Sequence, residues 1–170
     1  MAADLIYAFR VMRLPLLDAG GAPIGRFEDI VAIPGRAGKG REPAIPPRVV
    51  GFVANSQRRR IFVNANRIAE LNSDGARLRS WDVDLNPFKR RPGEVLIGGE
   101  LIDRRIGDET VSDIALRPQE DARSTYWVID KVRLARRNTL RRRPSYRLVD
   151  FDEVPALFEA QTAMQAEAAR

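Results

Sequence analysis

The sequence predicts a mainly β protein, two similar small β-barrels in tandem followed by a C-terminal α-helix. Three observations carry this. Asp113-Ile114-Ala115-Leu116 repeats the pattern of Asp29-Ile30-Val31-Ala32, an acid followed by three apolar residues. Residues 146–154 line up without a gap on residues 60–68: in both copies a strand ending in Val is followed by Asn or Asp one and three positions later, and by an apolar residue five positions on. A repeat of this kind argues for two copies of one supersecondary unit. Finally, residues 154–170 are rich in Ala, Glu and Gln and place Leu157, Phe158, Gln161 and Met164 along one side, with Pro155 in the first turn, where proline is tolerated.

Each element has a local reason. In residues 5–11, Leu5, Tyr7, Phe9 and Val11 alternate and can line one face of a first strand. Residues 14–17 contain Pro15, which suits a strand entry or an edge. Asp18-Ala19-Gly20-Gly21-Ala22-Pro23 is a dense set of turn formers, so a hairpin is expected. Residues 24–33 form a long strand with apolar and polar positions on both faces, the pattern of a strand that bends around a small barrel. Residues 34–47 carry four prolines and three glycines and read as a loop. Within it, Gly35-Arg36-Ala37-Gly38-Lys39-Gly40 lacks the spacing of a phosphate-binding loop and is followed by prolines instead of a helix.

Residues 49–54, a polar turn at 55–59 and residues 60–63 make a second hairpin. Residues 64–71 read as a short helical turn capped by Asn64 or Asn66, and residues 76–83, with Leu78 and Trp81, as a further strand. The proline-bounded basic stretch that follows is a connector. The boundaries are therefore 1–85 for the first unit, 86–94 for the connector, 95–154 for the second unit and 155–170 for the helix. In the second unit residues 95–97 and 101–102 open the set, and residues 126–134 take the place of 49–54. The helical pattern is still running at Arg170, as expected of a fragment of a longer protein or an exposed terminal helix.

Composition narrows the function. The 170 residues contain no Cys and no His, which removes thiol chemistry, imidazole bases and most transition-metal sites. Apolar runs fall far short of the ~18 residues that cross a bilayer, so membrane insertion is not expected and a cytoplasmic location is. The net charge is +6 and the pI about 10.4, which favours acidic partners. Ser56, Ser73, Ser80, Ser112 and Ser124 have no base within a telling spacing, so no enzymatic activity and no cofactor are expected.

Asp150, Asp152 and Glu153 cluster as oxygen ligands for Mg²⁺ would. The first repeat has Asn64, Asn66 and Arg67 at those positions, so a shared capping role accounts for both copies and metal binding for only one. No metal site is assigned. Asp82 and Asp84, and Asp108 with Glu109, read as surface charges. Asp29 and Asp113 are expected to accept bonds from backbone amides of the adjoining turn. The remaining concentration of chemistry is basic. Arg136, Arg137, Arg141, Arg142 and Arg143 place five arginines within eight residues, a surface for an acidic partner or for salt-sensitive, sequence-blind contact with RNA or DNA. Only Tyr146 is nearby for base stacking.

The Pro23-Ile24-Gly25 turn, the Asp29-Ile30-Val31 strand, Val49-Val50-Gly51-Phe52-Val53 and Arg60-Ile61-Phe62-Val63 together resemble the PRC-barrel family. The connector Leu85-Asn86-Pro87-Phe88-Lys89-Arg90-Arg91-Pro92-Gly93-Glu94-Val95-Leu96, followed by Glu100-Leu101-Ile102-Asp103-Arg104, is similar to the joint between two such barrels in actinobacterial proteins, where they precede MgtE-like N-terminal and CBS domains. The basic loop at residues 34–47 departs from the family pattern. The resemblance implies a non-enzymatic cytoplasmic docking or regulatory module associated with magnesium transport, acting on a protein partner or by self-association. A nucleic-acid- or ribosome-associated module and a Mg²⁺-responsive sensor are the alternatives.

Overall fold

The structure is a computed structural model, and it describes residues 5–35, 38–82, 86–121, 125–137, 143–154 and 157. The mainly β expectation holds. The strands are β1 (Ile6–Tyr7), β2 (Pro15–Leu17), β3 (Pro23–Ile33), β4 (Arg48–Ser56), β5 (Arg59–Asn64), β6 (Ile68–Asn72), β7 (Gly75–Leu78), β8 (Val95–Leu96), β9 (Arg105–Ile106), β10 (Glu109–Glu120), β11 (Thr125–Arg136) and β12 (Ser145–Asp150). They belong to one curled sheet whose main path runs β1-β10-β11-β4-β3-β2-β7-β6, with β5 on β4, β8 on β3, β9 on β10 and β12 on β11.

The repeat read from the sequence is visible in the pairing. Antiparallel β3 and β4 lose register between Phe27 and Asp29 and again between Val31 and Ala32. The β10–β11 pair loses it at the matching places, between Val111 and Asp113 and between Ala115 and Leu116. Such bulges bend and twist a strand, and their recurrence curls both hairpins in the same way. Each third strand, β5 or β12, ends in a 3-10 turn, Ala65–Arg67 or Phe151–Glu153. Asn64 caps the first by accepting the Asn66 amide at 3.1 Å, and Glu153 accepts the Asp150 amide at 3.1 Å in the second.

Several local expectations are corrected. Residues 5–11 are not one strand: Ile6–Tyr7 is extended, and Ala8–Val11 coils into a helical turn, α1, that buries Ala8 and Val11 and leaves Phe9 exposed. In the same way β8 gives way to a π-helical turn, Ile97–Leu101. The turn at residues 64–71 is confined to Ala65–Arg67, because Ile68 is drawn into β6 by pairing with Leu78. The expected strand at 76–83 is Gly75–Leu78, and Val83 lies outside the described residues. Of the expected terminal helix only Leu157 is described; it is helical and buried, and the rest lies outside the described residues.

The turn between β4 and β5 is tighter than the sequence suggests. Gln57 and Arg58 both take positive φ, 53° and 66°, the conformation whose twist matches a two-residue hairpin. Between β2 and β3 the Asp18 carboxylate accepts the amides of Gly20 and Ala22, both at 2.9 Å, as the turn-forming composition anticipates.

The buried side chains of both halves form one cluster. Phe27 and Phe52 stack at 4.5 Å between ring centroids, and Trp127 of the second half meets Phe52 edge-on at 6.0 Å. The sheet crosses between halves where Val128 pairs with Arg48 and the Ile129 amide donates to the Pro47 carbonyl at 2.8 Å.

Candidate functional site

Asp29 and Asp113, the paired acids of the repeat, are both buried. Asp29 accepts the Ile30 amide at 2.7 Å, and it also reaches the amides of Gly98 at 2.7 Å and Gly99 at 3.0 Å. Asp113 accepts the Ile114 amide at 2.8 Å and the Phe9 amide at 3.0 Å. The bonded amides therefore lie partly in the opposite half of the chain, not only beside the acid. Each half receives the other's opening segment: β1 pairs with β10, with Tyr7 opposite Ala115, and β8 pairs with β3, with Leu96 opposite Val31. The aspartate then caps the helical turn that follows. An ionised carboxylate is the natural receiver for two or three orphan amides, and with its oxygens so occupied each acid holds the halves together.

Gly98 is where the exchange is tightest. A Cβ there would stand 2.5 Å from the Met12 sulfur and 2.9 Å from the Asp29 carboxylate, so the two opening segments meet with no room for a side chain.

Two members of the acidic cluster at the end of β12 are similarly occupied. Asp150 pairs with Lys131, and Glu153 closes the turn. Among the described residues no group of three or more acids is placed to hold a metal ion. Glu109 is not the surface charge expected from sequence. It opens β10, is buried, and takes both arms of the Arg147 guanidinium at 2.8 Å each. That bidentate bond holds its carboxyl below the usual range and raises Arg147 in turn. Lys131 is raised first by its bond to Asp150.

The basic surface lies at the end of the β11–β12 hairpin, and the structure sorts its arginines. Arg136 ends β11 and forms an ion pair with Asp108 at 3.0 Å. Arg137 and Arg143 are exposed and have no acidic partner among the described residues. Arg141 and Arg142 lie outside the described residues. Sequence reasoning missed Arg133, whose guanidinium lies 4.2 Å above the Tyr146 ring, and it missed the exposure of two apolar groups on β12, Tyr146 at 51% and Leu148 at 43%. The gapless repeat held the signal. Arg147 stands where the first half has buried Ile61, and in the second copy the arginine is exposed and supplies the partner of the buried Glu109.

A half-open cleft of about 350 Å³ lies where the halves join, bordered by Ile33, Arg48, Asn64, Asn66, Thr125 and Tyr126. Arg48 lies over the Tyr126 ring at 4.3 Å, and Asn64 is committed to its cap. Among the described residues no helix is long and apolar enough to cross a membrane. The chain matches no family model, no curated protein and no solved structure.

Proposed function

We propose that this chain is a non-enzymatic docking or regulatory module built from two PRC-type barrels in tandem, the cytoplasmic part of a larger protein related to MgtE N-terminal and CBS-domain proteins. The observation that carries the docking reading is the exposed face of the last hairpin, where Tyr146 and Leu148 stand in solvent beside Arg133, Arg137 and Arg143. Apolar contact area flanked by cations toward the hairpin end suits an acidic protein surface. The bulges and capped turns shared by the halves agree with the two-barrel reading, and both buried aspartates are occupied in bracing the halves, which agrees with a role other than catalysis.

The test is photo-crosslinking in cells, with benzoylphenylalanine replacing Tyr146 and, as a control, the exposed Trp81. A discrete protein adduct at position 146 that is missing at position 81 is the expected outcome. Adducts with nucleic acid alone, or none at either position, would remove the reading. The uncompensated Arg137 and Arg143 give a nucleic-acid module second place. For that reading, labelled RNA and duplex DNA should bind with micromolar affinity at physiological salt, and charge reversal of the two arginines should abolish binding.

A further inference from the structure

We infer that the outer edge of β12 is a strand-addition site for an extended acidic protein segment, seated as the chain's own connector is seated on β5. The inference rests on the docking reading and adds the place, the pairing mode and the charge of the partner.

On β5 the connector runs antiparallel along the free edge: the Phe62 amide donates to the Asn86 carbonyl at 3.0 Å, the Phe88 amide donates to the Arg60 carbonyl at 3.0 Å, and Pro87 sits opposite Ile61. Arg60 covers the Phe88 ring at 5.7 Å. The repeat puts Tyr146 where Arg60 is and Leu148 where Phe62 is.

The register agrees. Leu148 faces Arg133 in β11 as Phe62 faces Val53 in β4, so the amide of Leu148 and the carbonyl of Tyr146 point away from β11. Among the described residues nothing pairs with them. A bare edge is ordinarily guarded by proline, by a bulge or by an inward charge. β12 has no proline, its pairing with β11 is unbroken, and its Arg147 is exposed and bound to Glu109.

Charge selects the occupant. The connector that fills the β5 edge is itself basic, with Lys89, Arg90 and Arg91. Beside β12, Arg133, Arg137 and Arg143 have no acidic partner among the described residues, so a basic segment is repelled there and an acidic one is drawn in. Main-chain bonds would supply much of the affinity, and Tyr146 and Leu148 would contact alternate side chains of the added strand.

The experiment uses the full chain at physiological salt and labelled peptides of about ten residues, the reach of a typical added strand. Aspartate and glutamate flank a Val-Pro-Val centre, with neutral and basic versions alongside, and anisotropy reads binding. Acidic peptides should bind at least about tenfold more tightly than neutral ones. N-methylating the acidic peptides at alternate residues, which leaves the protein untouched, should weaken them at least about fivefold. Leu148→Pro should do the same, since it removes an outward amide and no β11–β12 ladder bond.

Acidic peptides that bind as well when N-methylated would overturn strand addition while leaving the docking reading standing. No peptide binding together with no protein adduct at position 146 would end both. A dimer of the chain alone that Leu148→Pro dissolves would make a second copy the occupant and overturn the acidic partner. So would single-stranded RNA that outcompetes the peptides and binds Leu148→Pro undiminished.

Discussion

The edges of β5 and β12 are the same element built twice and finished differently. Both follow a bulged hairpin, both end in a capped 3-10 turn, and both present an amide and a carbonyl outward. On β5 the connector satisfies them, and Ile61 is buried beneath it at 2% exposure. On β12 no described residue does so, and an arginine stands in the place of Ile61. The contrast teaches that a repeated unit can keep its internal geometry while the sequence around it decides whether an edge is sealed or left to a partner.

The largest way to break the comparison is at the shared core. Phe52→Ala removes a ring that stacks on Phe27 and meets Trp127 from the other half, and it should cost about 3–5 kcal/mol. Urea unfolding followed by near-UV and far-UV circular dichroism should show one transition moving as a whole. Two transitions, only one of them shifted, would mean that the halves unfold separately and are not the single cluster described above.

Next come the two aspartates. Asp29 receives three amides and Asp113 two, so Asp29→Ala should destabilise by about 3 kcal/mol and Asp113→Ala by about 2, since bonds to a charged group outweigh neutral ones. Equal effects in urea titrations would show that the extra Gly99 bond contributes nothing.

Gly51→Ala sharpens the comparison from the side of β5. An added methyl would collide with the Phe62 ring and stand 2.6 Å from the Val63 carbonyl, for a cost of about 1–3 kcal/mol. The second half has Lys131 at the matching register, opposite Asp150 as Gly51 is opposite Asn64. Lys131→Ala should therefore change stability much less. If it costs as much as Gly51→Ala, the two positions are not equivalent.

The smallest effect is a pH dependence confined to the second half. Arg147 holds the Glu109 carboxyl below its ordinary value. A group depressed in the folded state contributes stability that is present above its unfolded value and lost as pH falls through the folded one. Acidification below the usual glutamate range should therefore loosen β10 and β12 in hydrogen exchange while β3 and β5 stay protected. Glu109→Gln should remove that acid response; a response that persists would place its origin elsewhere.

What the sequence determined by itself is local and repetitive. Alternation drew the long strands, the Asp18 turn and the Asn64 cap were legible as short-range backbone chemistry, and the gapless match of residues 146–154 to 60–68 gave the repeat, since each depends on neighbours a few residues away. Tertiary structure decided the rest. Leu5, Tyr7, Phe9 and Val11 alternate like a strand, yet the Asp113 carboxylate meets the Phe9 amide and favours a helical turn. Nothing in six or seven residues can say that an opening segment will pair with the far half. Glu109 looked like a surface charge because its partner, Arg147, is distant in the chain and enters only by way of β12. The open edge followed the same rule: Tyr146 and Leu148 read as ordinary strand residues, and only the three-dimensional course of the connector shows which of two equivalent edges it covers. The physical reason is common to all three cases. Propensity and capping act over a few bonds, whereas exchange, ion pairing and edge coverage depend on which distant groups the folded chain brings within contact.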